Sequence, residues 1–212
     1  FELLLPFFWL VLLLLALSII WRINARKYIS SSTVASAYDS WTEDKLLERL
    51  WGEHIHLGYY PLGNKNIDFR NAKVKFVHEL VKWSGLDKLP EGSRILDVGC
   101  GIGGSSRILA KYYGFNVTGI TISPAQVKRA RELTPFGLNC NFQVMDALDL
   151  KFEDGSFDAV WSVEAGAHMN DKTRFADEML RTLRPGGYLA LADWNSRDLN
   201  AYPPSFIEKL VL

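Results

Sequence analysis

The run Ile95-Leu96-Asp97-Val98-Gly99-Cys100-Gly101-Ile102-Gly103-Gly104 restricts the possible folds more than any other stretch of the chain. Its first four residues, apolar except for Asp97 and β-branched at Ile95 and Val98, read as a buried parallel strand. They lead into glycines and then into the helix-forming residues Ser105 to Tyr112, which makes the segment a strand, a tight turn and a helix start. Glycine suits such a turn because a side chain would keep a ligand away from the N–H groups at the helix N-terminus, where the dipole favours a carboxylate or phosphate. Gly99, Gly101 and Gly104 also satisfy the dinucleotide pattern G-x-G-x-x-G, so the turn alone indicates a nucleotide-type cofactor without choosing one. Two details favour S-adenosylmethionine over NAD. Asp97 stands two residues before the first glycine, within reach of an amino-acid ammonium, and Gly103 adds a glycine in alternation.

Downstream the pattern repeats. Asn116 to Thr121 reads as a second strand, followed by Ser123-Pro124, a capping serine and a first-turn proline that open a helix. In both NAD and S-adenosylmethionine folds an acidic residue usually ends this strand to hold the ribose hydroxyls; Thr121 stands there, a departure that weakens the NAD reading more and, for S-adenosylmethionine, shifts ribose contact to Thr121, Ser123 and Gln126. Phe142 to Ala147 reads as a third strand that ends in Asp146, an acceptor for an adenine amino group with Ala147 beside it; a surface turn is the alternative role. Phe157 to Ser162 is the fourth strand. Arg184-Pro185-Gly186-Gly187 reads as a helix end that launches a fifth strand, Tyr188 to Asp193. Strands alternating with helices imply an α/β, doubly wound, mostly parallel sheet of Rossmann-like type. The cofactor set read from the chain is therefore Asp97, Gly99, Cys100, Gly101, Gly103, Thr121, Ser123, Gln126, Asp146 and Ala147.

The N-terminal part is different in kind. Leu3 to Trp21 is apolar apart from Ser18, enough to cross a hydrocarbon core about 30 Å thick, and reads as a membrane helix over residues 1–21. Arg22, Arg26 and Lys27 follow it, so the positive-inside rule puts the rest of the chain on the cytoplasmic face. Residues 22–90 read as a polar linker (Ser30 to Thr33) and a helical cap, with helical spacing over Val34 to Leu50 and Asn71 to Leu86. Between them, Trp51 to Tyr60 reads as a loop over a pocket. His54 and His56 lack the cluster of neighbours that a metal site needs, so no metal is expected. Residues 91–212 form the cofactor domain, expected to be incomplete at its C-terminus because the chain stops within an amphipathic pattern at Leu212. Twenty-four basic and 24 acidic side chains balance, which argues against a nucleic-acid partner, and two cysteines are too few for a disulfide framework.

Taken together, the glycine turn, Asp146, the Phe157-Asp158 strand and Arg184-Pro185-Gly186-Gly187 resemble the class I S-adenosylmethionine-dependent methyltransferases. Gly119-Ile120-Thr121-Ile122-Ser123-Pro124, Val163-Glu164-Ala165-Gly166-Ala167-His168-Met169, Ala192-Asp193-Trp194-Asn195 and Ala37-Tyr38-Asp39-Ser40-Trp41 resemble its tocopherol and plastoquinone branch, nearest the cyanobacterial type that methylates 2-methyl-6-phytyl-1,4-benzoquinol. The resemblance implies C-methylation of a prenylated or phytylated hydroquinone carried in the bilayer. Other implied acceptors are γ-tocopherol or a sterol, and a non-catalytic S-adenosylmethionine-binding membrane protein is a further alternative. It also implies that Tyr38 closes over the cofactor carboxylate. Ring methylation is helped by a base at the phenol, so His168 is the candidate base with Glu164 as its orienter or the acceptor's; capping or packing of the next helix is the alternative role for His168. Trp41, Trp51, Tyr59 and Tyr60 are candidates for a tail entrance, with core or interface packing as the alternative.

Overall fold

The computed structural model describes Trp9 and residues 12–14, 31–62 and 66–195. It divides into two compact units, 1–34 and 35–212. Of the first unit, Trp9 and residues 12–14 are helical and exposed; the rest of the expected anchor, its basic flank and the C-terminal amphipathic pattern lie outside the described residues. Among the described residues no helix is long and apolar enough to cross a membrane.

In the second unit, β1 (Arg94–Val98), β2 (Asn116–Thr121), β3 (Cys140–Val144), β4 (Phe157–Val163) and β5 (Leu183–Ala192) form one sheet in the order β3-β2-β1-β4-β5, every neighbouring pair parallel. The expected α/β sheet is present. The helices are α1 (Ser31–Glu43), α2 (Leu46–Trp51), α3 (Phe69–Ser84), α4 (Gly104–Tyr113), α5 (Pro124–Leu133) and α6 (Lys172–Thr182). Side-chain alternation along β1 sorts the core into two layers. Ile95 packs with Val77 and Val81 of α3 and Leu109 of α4, while Leu96 and Val98 pack with Phe175 and Met179 of α6 on the opposite face. Asp97 shares the Ile95 face, so its carboxylate points toward α4. The strand order reverses between β1 and β4, and in such a sheet ligands bind beyond the C-terminal strand ends at that reversal.

Four local expectations are corrected. The polar residues Ser31 to Thr33 are not linker but the first turn of α1, and the single pattern over Val34 to Leu50 is two helices parted at Lys45, which takes a left-handed φ of 56°. The third strand begins at Cys140, two residues earlier, and ends at Val144, three residues earlier, because the Asp146 carboxylate accepts the Leu148 N–H at 2.9 Å and turns the chain there. Arg184-Pro185-Gly186-Gly187 does not end a helix; α6 has already ended at Thr182. Phe157 pairs with Leu183 and Ala159 with Tyr188, so these four residues form an irregularity inside β5, held by the Arg184–Asp158 ion pair at 3.1 Å.

Candidate active site

The expected cofactor residues follow the C-terminal ends of β1, β2 and β3, and Glu164 and His168 follow β4, so the sheet brings them all to one rim. At the centre, Asp97 is buried, and Ser106 Oγ of α4 donates to its Oδ2 at 2.5 Å. Burial pushes its pKa up to about 7 against the pull of that hydrogen bond, and no cationic side chain among the described residues pairs with it. A buried carboxylate with one neutral donor is a receptor for a cation.

The turn that follows divides its labour. The N–H groups of Gly99 and Cys100 both donate to the Ile120 carbonyl at 2.9 Å, and Gly103 N–H donates to Cys100 O at 2.9 Å, which closes the turn on itself. Among the described residues the Gly101 and Ile102 N–H groups find no acceptor. A Cβ on Gly103, at φ +79°, would lie 2.6 Å from the Phe142 ring, whereas one on Gly101, at φ +55°, would meet nothing within 4 Å. Gly103 therefore serves packing, and Gly101 keeps open space beside two free donors. The Cys100 thiol is raised well above its ordinary pKa by burial and is not a nucleophile.

Residues expected at the ribose corner are buried and bonded to one another. Thr121 Oγ1 donates to Gln126 Oε1 at 2.7 Å, Ser123 N–H donates to Thr121 Oγ1 at 3.3 Å, and Gln126 N–H donates to Ser123 Oγ at 3.1 Å. Ser123 Oγ in turn donates to Asp39 of α1, which also accepts the Ala125 N–H at 3.1 Å. Asp39 was not singled out by sequence; its acid directly after Tyr38 was the available signal. It docks α1 on the N-terminus of α5, beside the cofactor rim. Asp146 spends one oxygen on its own turn, and Ala147 is buried next to it.

Across the rim, Tyr38 Oη and His168 Nε2 lie 2.9 Å apart, their rings edge to face at 5.5 Å. Partial burial lowers the His168 pKa below 6.5; Asp193 opposes that shift and Lys172 adds to it. Burial, with help from Glu164, raises the Tyr38 pKa. The pair is therefore a neutral imidazole accepting from a neutral phenol at neutral pH. Glu164, at φ 51°, does not bond to His168: Oε1 accepts the Leu57 N–H at 2.9 Å and Oε2 accepts Trp194 Nε1 at 3.0 Å. Its backbone N–H donates to Ala192 O at 2.7 Å. Leu57 and Trp194 thus join the rim through Glu164, which local sequence did not reveal.

The loop after α2 lies against the glycine turn. Gly104 permits this: a Cβ there would run into the Glu53 carbonyl and lie 2.9 Å from the His54 ring. Arg107 Nη2 pairs with Glu53 at 2.7 Å, and buried Lys73 donates to His54 O at 2.8 Å and Trp51 O at 3.1 Å. His54 is driven to a pKa of about 3, first by burial and then by His56, Arg107 and Lys73, and His56 is also lowered by burial. Both are neutral. His56 Nδ1–H donates to Leu57 O at 2.7 Å, which leaves its Nε2 to accept from His54 Nδ1–H at 3.2 Å. Among the described residues no group of three or more His, Cys, Asp or Glu could hold a metal.

A family described as a methyltransferase domain matches residues 96–191. A curated 2-methyl-6-phytyl-1,4-hydroquinone methyltransferase of Synechocystis sp. is 60% identical over 193 residues, 91% of this chain and 61% of the relative. Residues 96–191 thus carry a methyltransferase domain. A chloroplastic tocopherol O-methyltransferase of Arabidopsis thaliana is 42% identical over 74% of this methyltransferase and 48% of its own length. The chain thus spans about half to three-fifths of the length of these relatives. Among solved structures, the [4+2]-cyclase SpnF superposes with a TM-score of 0.67 at 32% identity, over 76% of this chain and 59% of its own. The methyltransferase site fits S-adenosylmethionine on its own features: Asp97 lacks a cation, Gly101 leaves open space, and two turn N–H groups lack acceptors.

Proposed function

We propose that this methyltransferase C-methylates the ring of a membrane-borne 2-methyl-6-phytyl-1,4-hydroquinone in tocopherol and plastoquinone biosynthesis. The 60% identity to the Synechocystis relative carries the choice of acceptor. Bound, S-adenosylmethionine supplies a methyl group on a sulfonium, open to in-line attack. The chain's part is to hold and align. Asp97 would hold the amino-acid ammonium, the Gly101 and Ile102 N–H groups its carboxylate, and Asp146 with Ala147 the adenine. His168, neutral and at the lip, takes the proton of the ring hydroxyl so that electron density rises at the ring carbon; Tyr38 donates to the same imidazole and fixes its orientation until the phenol arrives. Glu164 holds the rim closed through Leu57 and Trp194 rather than acting on His168.

The apolar residues Leu3 to Trp21 support a bilayer anchor, with Arg22, Arg26 and Lys27 supporting a cytoplasmic or stroma-equivalent face for the catalytic domain. The test is to supply the full chain in vesicles with methyl-labelled S-adenosylmethionine and with phytyl hydroquinone, γ-tocopherol and a sterol in separate reactions. Label on a ring carbon of the hydroquinone is the expected product; label on an oxygen, or only in tocopherol or sterol, would overturn the assignment.

A further inference from the structure

The loop between α2 and α3 is inside out for a surface exposed to water. From Glu53 to Leu57 burial alternates residue by residue: His54 and His56 face inward, and Ile55 and Leu57 face out. The outward apolar series continues through Tyr59 and Tyr60 to Leu62, which is 105% exposed, and Trp51 precedes it. Trp83, Tyr112 and Phe136 are also exposed but stand singly along the chain, as on any soluble domain. The alternation is fixed from beneath. The two histidines bond to each other, Lys73 holds the carbonyls of Trp51 and His54, and Tyr59 N–H donates to Ala72 O at 2.9 Å. The apolar face is consequently imposed by a rigid polar underside.

We infer that this face docks on the headgroup boundary of an anionic lipid bilayer, seating the catalytic rim on the membrane independently of any anchor. Aromatic residues with polar tips are suited to that boundary, and the charge beside them is of the right sign. Between Tyr59 and Lys75 the sequence carries Lys65, Arg70 and Lys75, besides the buried Lys73, against Asp68 alone, in a chain whose total charge is balanced. Asp68 is committed to capping α3 through the Arg70 and Asn71 N–H groups. Lys75 Nζ lies 5.7 Å from the centre of the Tyr59 ring, which carries cation and aromatic on one surface. The docked loop is wired to the lip, because Leu57 presents its side chain outward and its N–H to Glu164. The inference rests on the proposed acceptor being bilayer-borne: a tail drawn from the lipid would pass this loop to reach His168.

The test uses the full chain with an environment-sensitive fluorophore on Leu62→Cys, compared with one on Phe136→Cys, which is 108% exposed on the α5–β3 connection. The native thiols compete poorly: Cys100 is buried and Cys140 is pushed up to about 12 by burial. Vesicles containing phosphatidylglycerol should raise and blue-shift emission at 62 by about twofold or more, with little change at 136. Ile55→Ser/Leu62→Ser should raise the apparent KM for vesicle-borne phytyl hydroquinone about 3- to 10-fold and leave kcat/KM for a tail-less methylhydroquinone unchanged. Equal responses at 62 and 136 would overturn the inference, and so would a vesicle-free shift at 62 that grows with protein concentration, which marks a face shared between copies. The label reports docking whether or not the hydroquinone is methylated, so failure of the acceptor assignment reads out separately.

Discussion

Asp97 gives the sharpest test, because the same carboxylate is costly without a cation and useful with one. Its pKa stands at about 7, against 3.8 for an exposed aspartate, and the cause is burial. That difference of about three units corresponds to about 4 kcal/mol of ionisation cost, at roughly 1.4 kcal/mol per unit. The folded chain holds this proton more tightly than the unfolded one. Its contribution to stability is therefore complete below about pH 4, declines as pH rises, and is lost above about pH 7. Asp97→Asn removes the charge and keeps an acceptor for Ser106, but its amide N–H groups arrive without partners at about 1–3 kcal/mol. The net expectation without ligand at pH 8 is a gain of about 1–3 kcal/mol, or about 2–10 °C in Tm for a chain of this size. At pH 5 the advantage should shrink to near zero or reverse.

Ligand binding should move the other way. S-adenosylhomocysteine carries the same ammonium, and loss of the buried charge pair should weaken its binding by about 30-fold or more. The assays are thermal melts of both proteins at pH 5 and pH 8, with and without S-adenosylhomocysteine, and calorimetric titration at pH 8. A stability difference that is the same at both pH values would refute burial as the source of the shift. Undiminished affinity would refute the ammonium contact.

Three further outcomes follow from neighbouring groups. Gly101→Ala should cost about 1 kcal/mol of stability for its positive φ yet abolish measurable S-adenosylhomocysteine binding, while Gly103→Ala, driven into Phe142, should lower Tm markedly; thermal melts and calorimetry separate the two. Because His168 titrates below 6.5, turnover should rise with pH through that lower range and level off above it. His168→Gln should remove this limb and lower kcat by about 10²- to 10⁴-fold with cofactor affinity intact, as pH–rate profiles would show. Glu164→Gln offers one acceptor where Leu57 N–H and Trp194 Nε1 now use two, so amide exchange at Leu57 should quicken by about 10-fold or more, measured by mass spectrometry.

What sequence could reveal here was whatever a few consecutive residues decide. Ile95 to Gly104 encodes a strand, a turn and a helix through local geometry, and Ser123-Pro124 encodes a helix start because the serine hydroxyl caps Gln126 N–H three residues on. The limits of β3 and β5 were not legible for the same reason reversed. Asp146 ends one strand through a side-chain bond that hydrophobic pattern does not register, and Arg184 to Gly187 stay in the sheet because Asp158 and the β4 register hold them. The active-site rim goes a step further. Glu164 sits in the stretch that sequence singled out, but its partners come from a loop 107 residues before it and a segment 30 residues after it. Tyr38 reaches His168 across 130 residues. The residue types were therefore readable and these contacts were not: a histidine with a carboxylate four residues before it suggests a dyad, and folding instead bonds the carboxylate to Leu57 and Trp194 and the histidine to a tyrosine of α1. That division makes the two separable. In the proposed reaction the imidazole exchanges its tyrosine partner for a substrate phenol, while the Glu164 carboxylate keeps its bonds to Leu57 and Trp194.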